Sequence, residues 1–541
     1  MPCFLAFILL AFLGFYIVGP FLRLLFRQAF SPLNILDGPA SPSFFMGNLS
    51  QMHDQENNNI IATWQNQFGS TFVYRGFIGG CRLMTTDPVA IAHILGHAYD
   101  YPKPDFVRES LASMAAGHDG LLTVEGEDHR RQRKILSPAF SSVHVKSLTP
   151  IFRQSASQLR DIWLALADKC DPHSTSVRVD ALTWLGRATL DVIGLAGFGY
   201  SFNSLTSATK SGTQLENELA DAFSIIFSTA RKFRVITILQ VWFPFLRRFR
   251  RNNTTMMRAR ETMHRIGMQL IEDRRREAMA DVRNVPETAV DGHKTRSRDL
   301  LSVLIRSNLS TTPSQQMSVP EVLCQISTFI AAGHETTSSA LTWCLYALAR
   351  DRDVQDRLRH ELRALTTVRS RADGSSEGKS MVADRSGVQA QVPSDGDQVD
   401  QGEDDEALLE RIWACEYLDW VVREVLRVHA PVTTTMRVCM RERDEIPVGK
   451  DGYVDRRGTR RWSIPVKRWD IVCVPIQAVN KSKDLWGEDA GEFRPERWAD
   501  PPEAARAIPG LFANTLTFLN GNPLNGNRAC IGFKFAMFDP A

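Results

Sequence analysis

The first 22 residues, MPCFLAFILLAFLGFYIVGPFL, contain no charged side chain, and Arg23 and Arg27 come directly after them. A bilayer is crossed by about 20 apolar helical residues, so the run 1–22 predicts a single transmembrane helix. Basic residues on its C-terminal side alone keep the rest of the chain in the cytoplasm. A cleaved signal peptide is the competing reading, but the run is long and no small-residue cleavage site comes after it. Pro39 and Pro42 make residues 23–48 a stiff linker between membrane and globule.

From residue 49 onward the helical period dominates. Apolar positions predict helices over 150–170, 214–232 and 254–280. The strongest helix begins at Ser318, a suitable N-cap, with Pro320 and Glu321 in its first turn, and runs to about Arg350. Alternation of apolar and polar residues predicts strands within 70–79 and 470–476. Residues 369–406 are rich in Ser, Gly, Asp, Gln and Glu and have no apolar period, which predicts a disordered surface insertion. The pattern as a whole predicts a mainly α fold with a small β portion, one domain spanning 49–541, and no solenoid repeat.

Composition narrows the function classes. A chain of 541 residues with 43% hydrophobic residues can bury a large core. Its net charge of +3 gives no reason to expect nucleic acid as a partner. The nine cysteines are scattered, without a CxxC pair, and read as reduced thiols rather than a disulfide frame.

Three stretches carry candidate chemistry. In the long helix, Ala332-Gly333-His334-Glu335-Thr336-Thr337 sets an acid and two hydroxyls in an apolar rod. Glycine costs about 1 kcal/mol against alanine there, so Gly333 implies a close approach to the backbone. Glu335 and Thr336 offer a proton route into a dry pocket; a hydroxyl bonded back to its own helix beside a solvated acid is the plainer alternative. A zinc HExxH helix is excluded because Ser338 stands where the second histidine would be. Second, Glu424 and Arg427 share one helix face in an apolar stretch, a candidate buried pair, with Arg497 of FRPERW as a third member. Third, Cys530 is flanked by Gly526, Arg528 and Gly532. Positive charge and backbone N–H groups favour a thiolate, and glycines permit close approach of a flat cofactor.

In order and separation, AGHETT, ExxR, FRPERW and GNRACIG together resemble the cytochrome P450 family of haem-thiolate monooxygenases, in the style of eukaryotic microsomal and especially fungal members. The resemblance implies the P450 fold, with Cys530 as axial ligand of a haem iron. It implies Glu335 and Thr336 as the acid–alcohol pair that delivers protons to dioxygen, and Glu424, Arg427 and Arg497 as a structural triad. Haem propionates would be met by Arg133, Arg437 and Arg528. His129 stands where the family often has Trp, and an imidazole still donates to a carboxylate. The implied partners are an NADPH-dependent flavoprotein reductase, an apolar small molecule and the lipid membrane; the implied location is the endoplasmic reticulum, catalytic domain toward the cytoplasm. Phe329, Ile330, Val432, Thr433 and Met436 fall in segments expected to face substrate, and favour a terpenoid, fatty acyl or polyketide skeleton of the kind made in secondary metabolism. The stretch 235–251 joins an apolar run to a basic one, expected either at the membrane interface or as a buried helix end with a solvated tail.

Two features depart from the family pattern. LNGN occurs twice in residues 519–527, and deleting 522–526 returns Phe518 to the family's spacing from Cys530. This predicts a five-residue insertion that either bulges outward as a turn-rich loop or takes Phe518 from the thiolate. The chain also stops soon after Cys530, with Asp539-Pro540 poised to end a helix. That leaves two alternatives to a monooxygenase: an inactive truncated or mis-spliced homologue, or a reductase-independent isomerase or dehydratase on the same fold.

Overall fold

A computed structural model describes residues 14–53, 60–115, 117–169, 176–209, 217–231, 254–283, 299–308, 316–373, 408, 410–520 and 528–538. The fold is mainly helical, with one four-stranded and three two-stranded sheets among the described residues. Near the N-terminus a π-helical turn, Gly14–Val18, leads into α1 (Gly19–Ala29). Among the described residues no helix is long and apolar enough to cross a membrane, and residues 1–13 of the expected anchor lie outside them.

The stretch expected as one strand over 70–79 is the first arm of a hairpin. Strand β1 (Thr71–Arg75) turns at Gly76–Gly80 and pairs antiparallel with β2 (Cys81–Thr85), Thr71 opposite Thr85. The reversal uses left-handed backbone at Ile78 and Gly79, which glycine adopts readily.

Helix α2 (Gly126–Leu136) carries the basic run, and α3 (Ala181–Phe198) packs along α4 (Val319–Arg350). The expected cap of α4 is present in full. Glu321 N–H donates to Ser318 Oγ at 3.4 Å, and Ser318 N–H donates to Glu321 Oε2 at 2.7 Å. Gln132 Nε2 on α2 donates to Glu321 Oε1 at 3.0 Å, which ties the start of α4 to α2.

The helix Arg352–Asp373 runs past the expected start of the insertion at 369; residues 374–406 lie outside those described, as does the stretch 235–251. Helix α5 (Glu416–Val428) leads to β3 (Thr435–Val438), and β4 (Ile471–Val474) sits within the stretch expected as a strand. The four-stranded sheet runs β1-β2-β4-β3, with β2 and β4 parallel and the outer pairs antiparallel. Strand β5 (Thr515–Asn520) precedes the cysteine loop. Leu516 on β5 belongs to one hydrophobic core, with Trp486 and Trp498. Phe535 after the loop belongs to another, with residues of α3 and α4. The cysteine loop therefore bridges two packed cores.

Candidate functional site

The loop brings Cys530 back to Phe518 across the inserted residues. Cys530 N–H donates to Phe518 O at 3.0 Å, and Phe518 is buried with its ring 6.1 Å from Phe533. Of the two expected outcomes of the insertion, Phe518 keeps its place beside the cysteine; residues 521–527, including Gly526, lie outside those described.

Cys530 is exposed, yet protein surrounds it closely enough that burial pushes its thiol pKa up, opposed by the Gly532 N–H and by Arg133. A sulfur recessed among protein atoms yet reachable from outside satisfies both observations. Ala332, in the middle of α4, is also exposed, directly after the buried Ile330 and Ala331. The thiol so placed is protonated at neutral pH until a metal displaces the proton.

A group of cations gathers near the cysteine loop and the helix α2. Arg133 on α2 donates to Ala529 O at 2.8 Å, next to Cys530. Arg437 on β3 is 2% exposed and donates to Thr435 Oγ1 at 2.6 Å and Met436 O at 2.8 Å. Lys103 Nζ donates to Leu122 O at 3.0 Å. Arg528 pairs with Glu125, lies 5.2 Å over the Tyr99 ring, and has a buried Nη1 without a partner.

Their electrostatics agree. Burial lowers Arg437 and Arg528 to about 10. Lys103 is held well below its ordinary value by burial, then by Arg437, Arg528 and Arg108. His129, buried on α2 with Nδ1 3.5 Å from Tyr99 Oη, falls to about 4 through burial, then Lys103 and Arg133. Arg133, Arg437 and Lys103 spend donors on carbonyl and hydroxyl oxygens, while Glu125 serves Arg528. A buried excess of cations with an orphaned guanidinium nitrogen calls for an anion.

The triad is assembled as expected. Arg427 makes a two-point contact with Glu424, Nη2 to Oε1 at 2.7 Å and Nε to Oε2 at 2.9 Å. Arg497 Nε reaches Oε1 at 3.4 Å, Trp498 Nε1 donates to Oε2 at 3.1 Å and Arg494 N–H to Oε1 at 3.0 Å. Both Glu424 and Arg427 are wholly buried.

Three features stand together: a cysteine on a loop joined to two cores, a buried group of cations with one unpartnered guanidinium nitrogen, and a buried Glu–Arg–Arg triad. The sequence profile described as Cytochrome P450 matches residues 37–376 and 380–539. The chain belongs to the cytochrome P450 family. It is 38% identical over 94% of its length to Cytochrome P450 monooxygenase 205 of Postia placenta, covering 84% of that protein. It is 36% identical to Cytochrome P450 monooxygenase 128 of the same fungus, over 96% of this chain and 85% of the relative. Cytochrome P450 monooxygenase claW of Ampulloclitocybe clavipes is 30% identical over 94% of this chain and 84% of its own. P450 proteins are haem-thiolate monooxygenases, and the residues here fit that group: Cys530 as iron ligand, and Arg133, Arg437, Arg528 and His129 for its carboxylates.

The structure also places the remaining candidates. Thr336 Oγ1 donates to Ala332 O at 2.6 Å, the back-bonded form, and Glu335 beside it is half-buried. Gly333 sits where a second helix comes close. A Cβ there would meet Ile193 Cδ1 of α3 at 3.0 Å, and Thr189 of α3 donates to His334 O at 3.0 Å. Gly532 has ordinary room, with Phe140 Cε1 3.8 Å from where its Cβ would be, and contributes through its N–H. Two side chains expected toward substrate are packed elsewhere: Met436 lies with Trp64, Phe72 and Tyr74, and Ile330 is fully buried in the core it shares with α3. Sequence reasoning missed Tyr99, Lys103 and Glu125. Their only signal was charge and aromaticity just before the basic helix, which is common on any surface.

Proposed function

We propose that this P450 is a membrane-anchored monooxygenase that hydroxylates or otherwise oxidises an apolar small molecule, a terpenoid, fatty acyl or polyketide skeleton, with electrons from an NADPH-dependent flavoprotein reductase. The observation that carries the reading is Cys530 seated against Phe518 and Arg133 beneath a cationic rim whose Arg528 Nη1 lacks a partner. Bound haem with a thiolate ligand supplies reductive activation of dioxygen, the thiolate favouring O–O cleavage. Cys530 would hold that ligand position, and Arg133, Arg437, Arg528 and His129 would orient the group by its carboxylates. Glu335 and Thr336, adjacent on α4, move protons from solvent into the cleft. The Phe140 and Phe329 rings, edge to face at 5.4 Å, keep water from its wall.

Anchoring rests on the uncharged run 1–22 followed by Arg23 and Arg27, a charge pattern that supports a catalytic domain on the cytoplasmic side of the endoplasmic reticulum. Exposed Phe26, Phe30, Phe44 and Phe45 extend an apolar surface beside it. Lys467 Nζ, donating to Phe30 O at 2.8 Å, ties that surface to the globular domain.

A carbon monoxide difference spectrum of reduced membranes tests the reading: a thiolate-type band is expected, and its absence refutes it. Dependence of product on NADPH and reductase then separates oxygenation from an isomerisation or dehydration. The retained Glu335–Thr336 pair supports oxygenation, since a rearrangement needs no protons delivered to dioxygen.

A further inference from the structure

The segment 450–469 departs from the charge balance of the rest of the chain. It carries seven lysines and arginines against two aspartates, Asp451 and Asp455, a net +5 where the whole protein has +3. Within it a short hairpin sets Tyr453 opposite Arg461 and Val454 opposite Arg460. Opposite residues share a face and neighbours alternate between faces. Tyr453 is packed in a core with Ile464, and Arg461 pairs with the buried Asp455 at 2.7 Å. Val454, Arg460 and Trp462 therefore face outward, and Trp462 is 56% exposed.

Little inside the protein answers these groups. Among the described residues the Arg457 side chain forms no hydrogen bond or ion pair, and Arg460 meets only the Asp451 carbonyl, at 2.9 Å. Trp469, just past the strand Ser463–Lys467, is 42% exposed and holds left-handed backbone, φ 75. A bulky residue adopts that conformation only under strain. Glycine sits there without cost; tryptophan instead holds a large ring out to solvent. The same face is fastened to the chain just beyond the apolar amino-terminal run. Arg456 N–H donates to Ile35 O at 2.9 Å, its guanidinium lies 3.7 Å from Asp37, and Lys467 Nζ donates to Phe30 O at 2.8 Å. Phe30 stands eight residues past Leu22, roughly 12 Å of helical rise, where the Debye length is about 8 Å.

We propose that this face, formed by Val454, Arg457, Arg460, Trp462 and Trp469, docks on anionic lipid headgroups of the leaflet beside the amino-terminal run. Exposed tryptophan suits the boundary between acyl chain and headgroup. A cluster of about four to eight cations beside an anchor is drawn to phosphatidylserine-type charge. An acidic protein would answer the cations but not the exposed indoles beside Phe26 and Phe30, which are also exposed; a lipid surface answers both. One anchoring helix leaves a domain free to turn about its linker, whereas a second contact holds one face to the bilayer. The inference rests on the membrane-anchored reading, which concerns residues 1–22.

The test uses the full-length protein in vesicles of phosphatidylcholine with added phosphatidylserine, one lipid at a time carrying a nitroxide near its headgroup. Tryptophan quenching per labelled lipid then compares serine and choline headgroups around one protein. Labelled phosphatidylserine is expected to quench about five-fold more effectively, the preference one well-placed cation gives near an anionic surface. Added salt shrinks that ratio. Arg457→Gln with Arg460→Gln brings it toward one, and Trp462→Phe with Trp469→Phe removes the component that shows it. All four side chains are exposed, so the variants keep their fold, checked by melting midpoint. A serine preference untouched by both double variants overturns the proposal. Equal quenching by the two lipids also overturns it, and makes an acidic protein the occupant. Flotation with vesicles of phosphatidylcholine alone reports on the anchor separately: if the protein does not float with them, the anchored reading fails. Binding that then needs phosphatidylserine, and is lost in Arg457→Gln with Arg460→Gln, still supports the docking face; binding to neither vesicle overturns both.

Discussion

Replacing Glu424 by Gln removes one charge from the most densely bonded point of the proximal core. Its Oε1 accepts from Arg427 Nη2, Arg494 N and Arg497 Nε, and its Oε2 from Arg427 Nε and Trp498 Nε1. A glutamine keeps one oxygen, and its NH2 faces at least two donors whichever way the amide turns. Arg497 retains Asp489 at 2.8 Å. Arg427 retains only the carbonyls of Asn480, Ala490 and Glu492, so its buried charge is left uncompensated. Breaking a buried pair from one side costs about 3–5 kcal/mol, against total stabilities of about 5–15 kcal/mol for a folded domain. Urea unfolding of wild type and Glu424→Gln, followed by tryptophan fluorescence and by haem absorbance, measures the loss. A large fall in the midpoint with loss of bound haem is expected, because Trp486, Trp498 and β5 share this core and β5 leads to Cys530. A loss under about 1 kcal/mol, the range of exposed ion pairs, would refute the account of the triad as a buried, charge-balanced unit.

Deleting residues 522–526 is expected to leave the Cys530–Phe518 contact intact, with the same thiolate-type spectrum and a melting midpoint no lower than wild type, since shortening a loop costs little; loss of the spectrum would mean that the inserted residues shape the ligand loop. Arg437→Ala and Arg528→Ala each remove one charge-assisted hydrogen bond to a haem carboxylate, about 1.5–3 kcal/mol, so haem transfer to apomyoglobin should quicken by roughly 10–100-fold, whereas Arg468→Ala, a cation beside Trp469 away from the rim, should not change it. In haem-free protein, His129 is depressed from 6.5 to about 4 by burial, Lys103 and Arg133. The unfolded chain therefore binds the extra proton between those values, and stability falls as pH drops from 6.5 to 4, by about 3 kcal/mol in all. His129→Gln should flatten that slope in urea titrations at stepped pH.

Much of the site could be read along the chain because its chemistry is local. Glu424 and Arg427 meet within one helical turn, the Ser318–Glu321 cap closes over three residues, and the Gly532 N–H reaches the cysteine from its own loop. Such contacts depend on spacing, and spacing is written in the sequence. The strand within 70–79 ends at Arg75, and the chain reverses through the left-handed Ile78 and Gly79 into β2. The rest needed the chain folded. The approach of Ile193 to Gly333 comes from another helix, 140 positions earlier in the chain. Tyr99, Lys103 and Glu125 gain meaning only where β3, α2 and the cysteine loop converge and burial makes their charges costly. Phe518 stays beside Cys530 because strand β5 is packed on one core and the segment after the cysteine on the other, so the loop's ends are held by contacts far from the inserted residues.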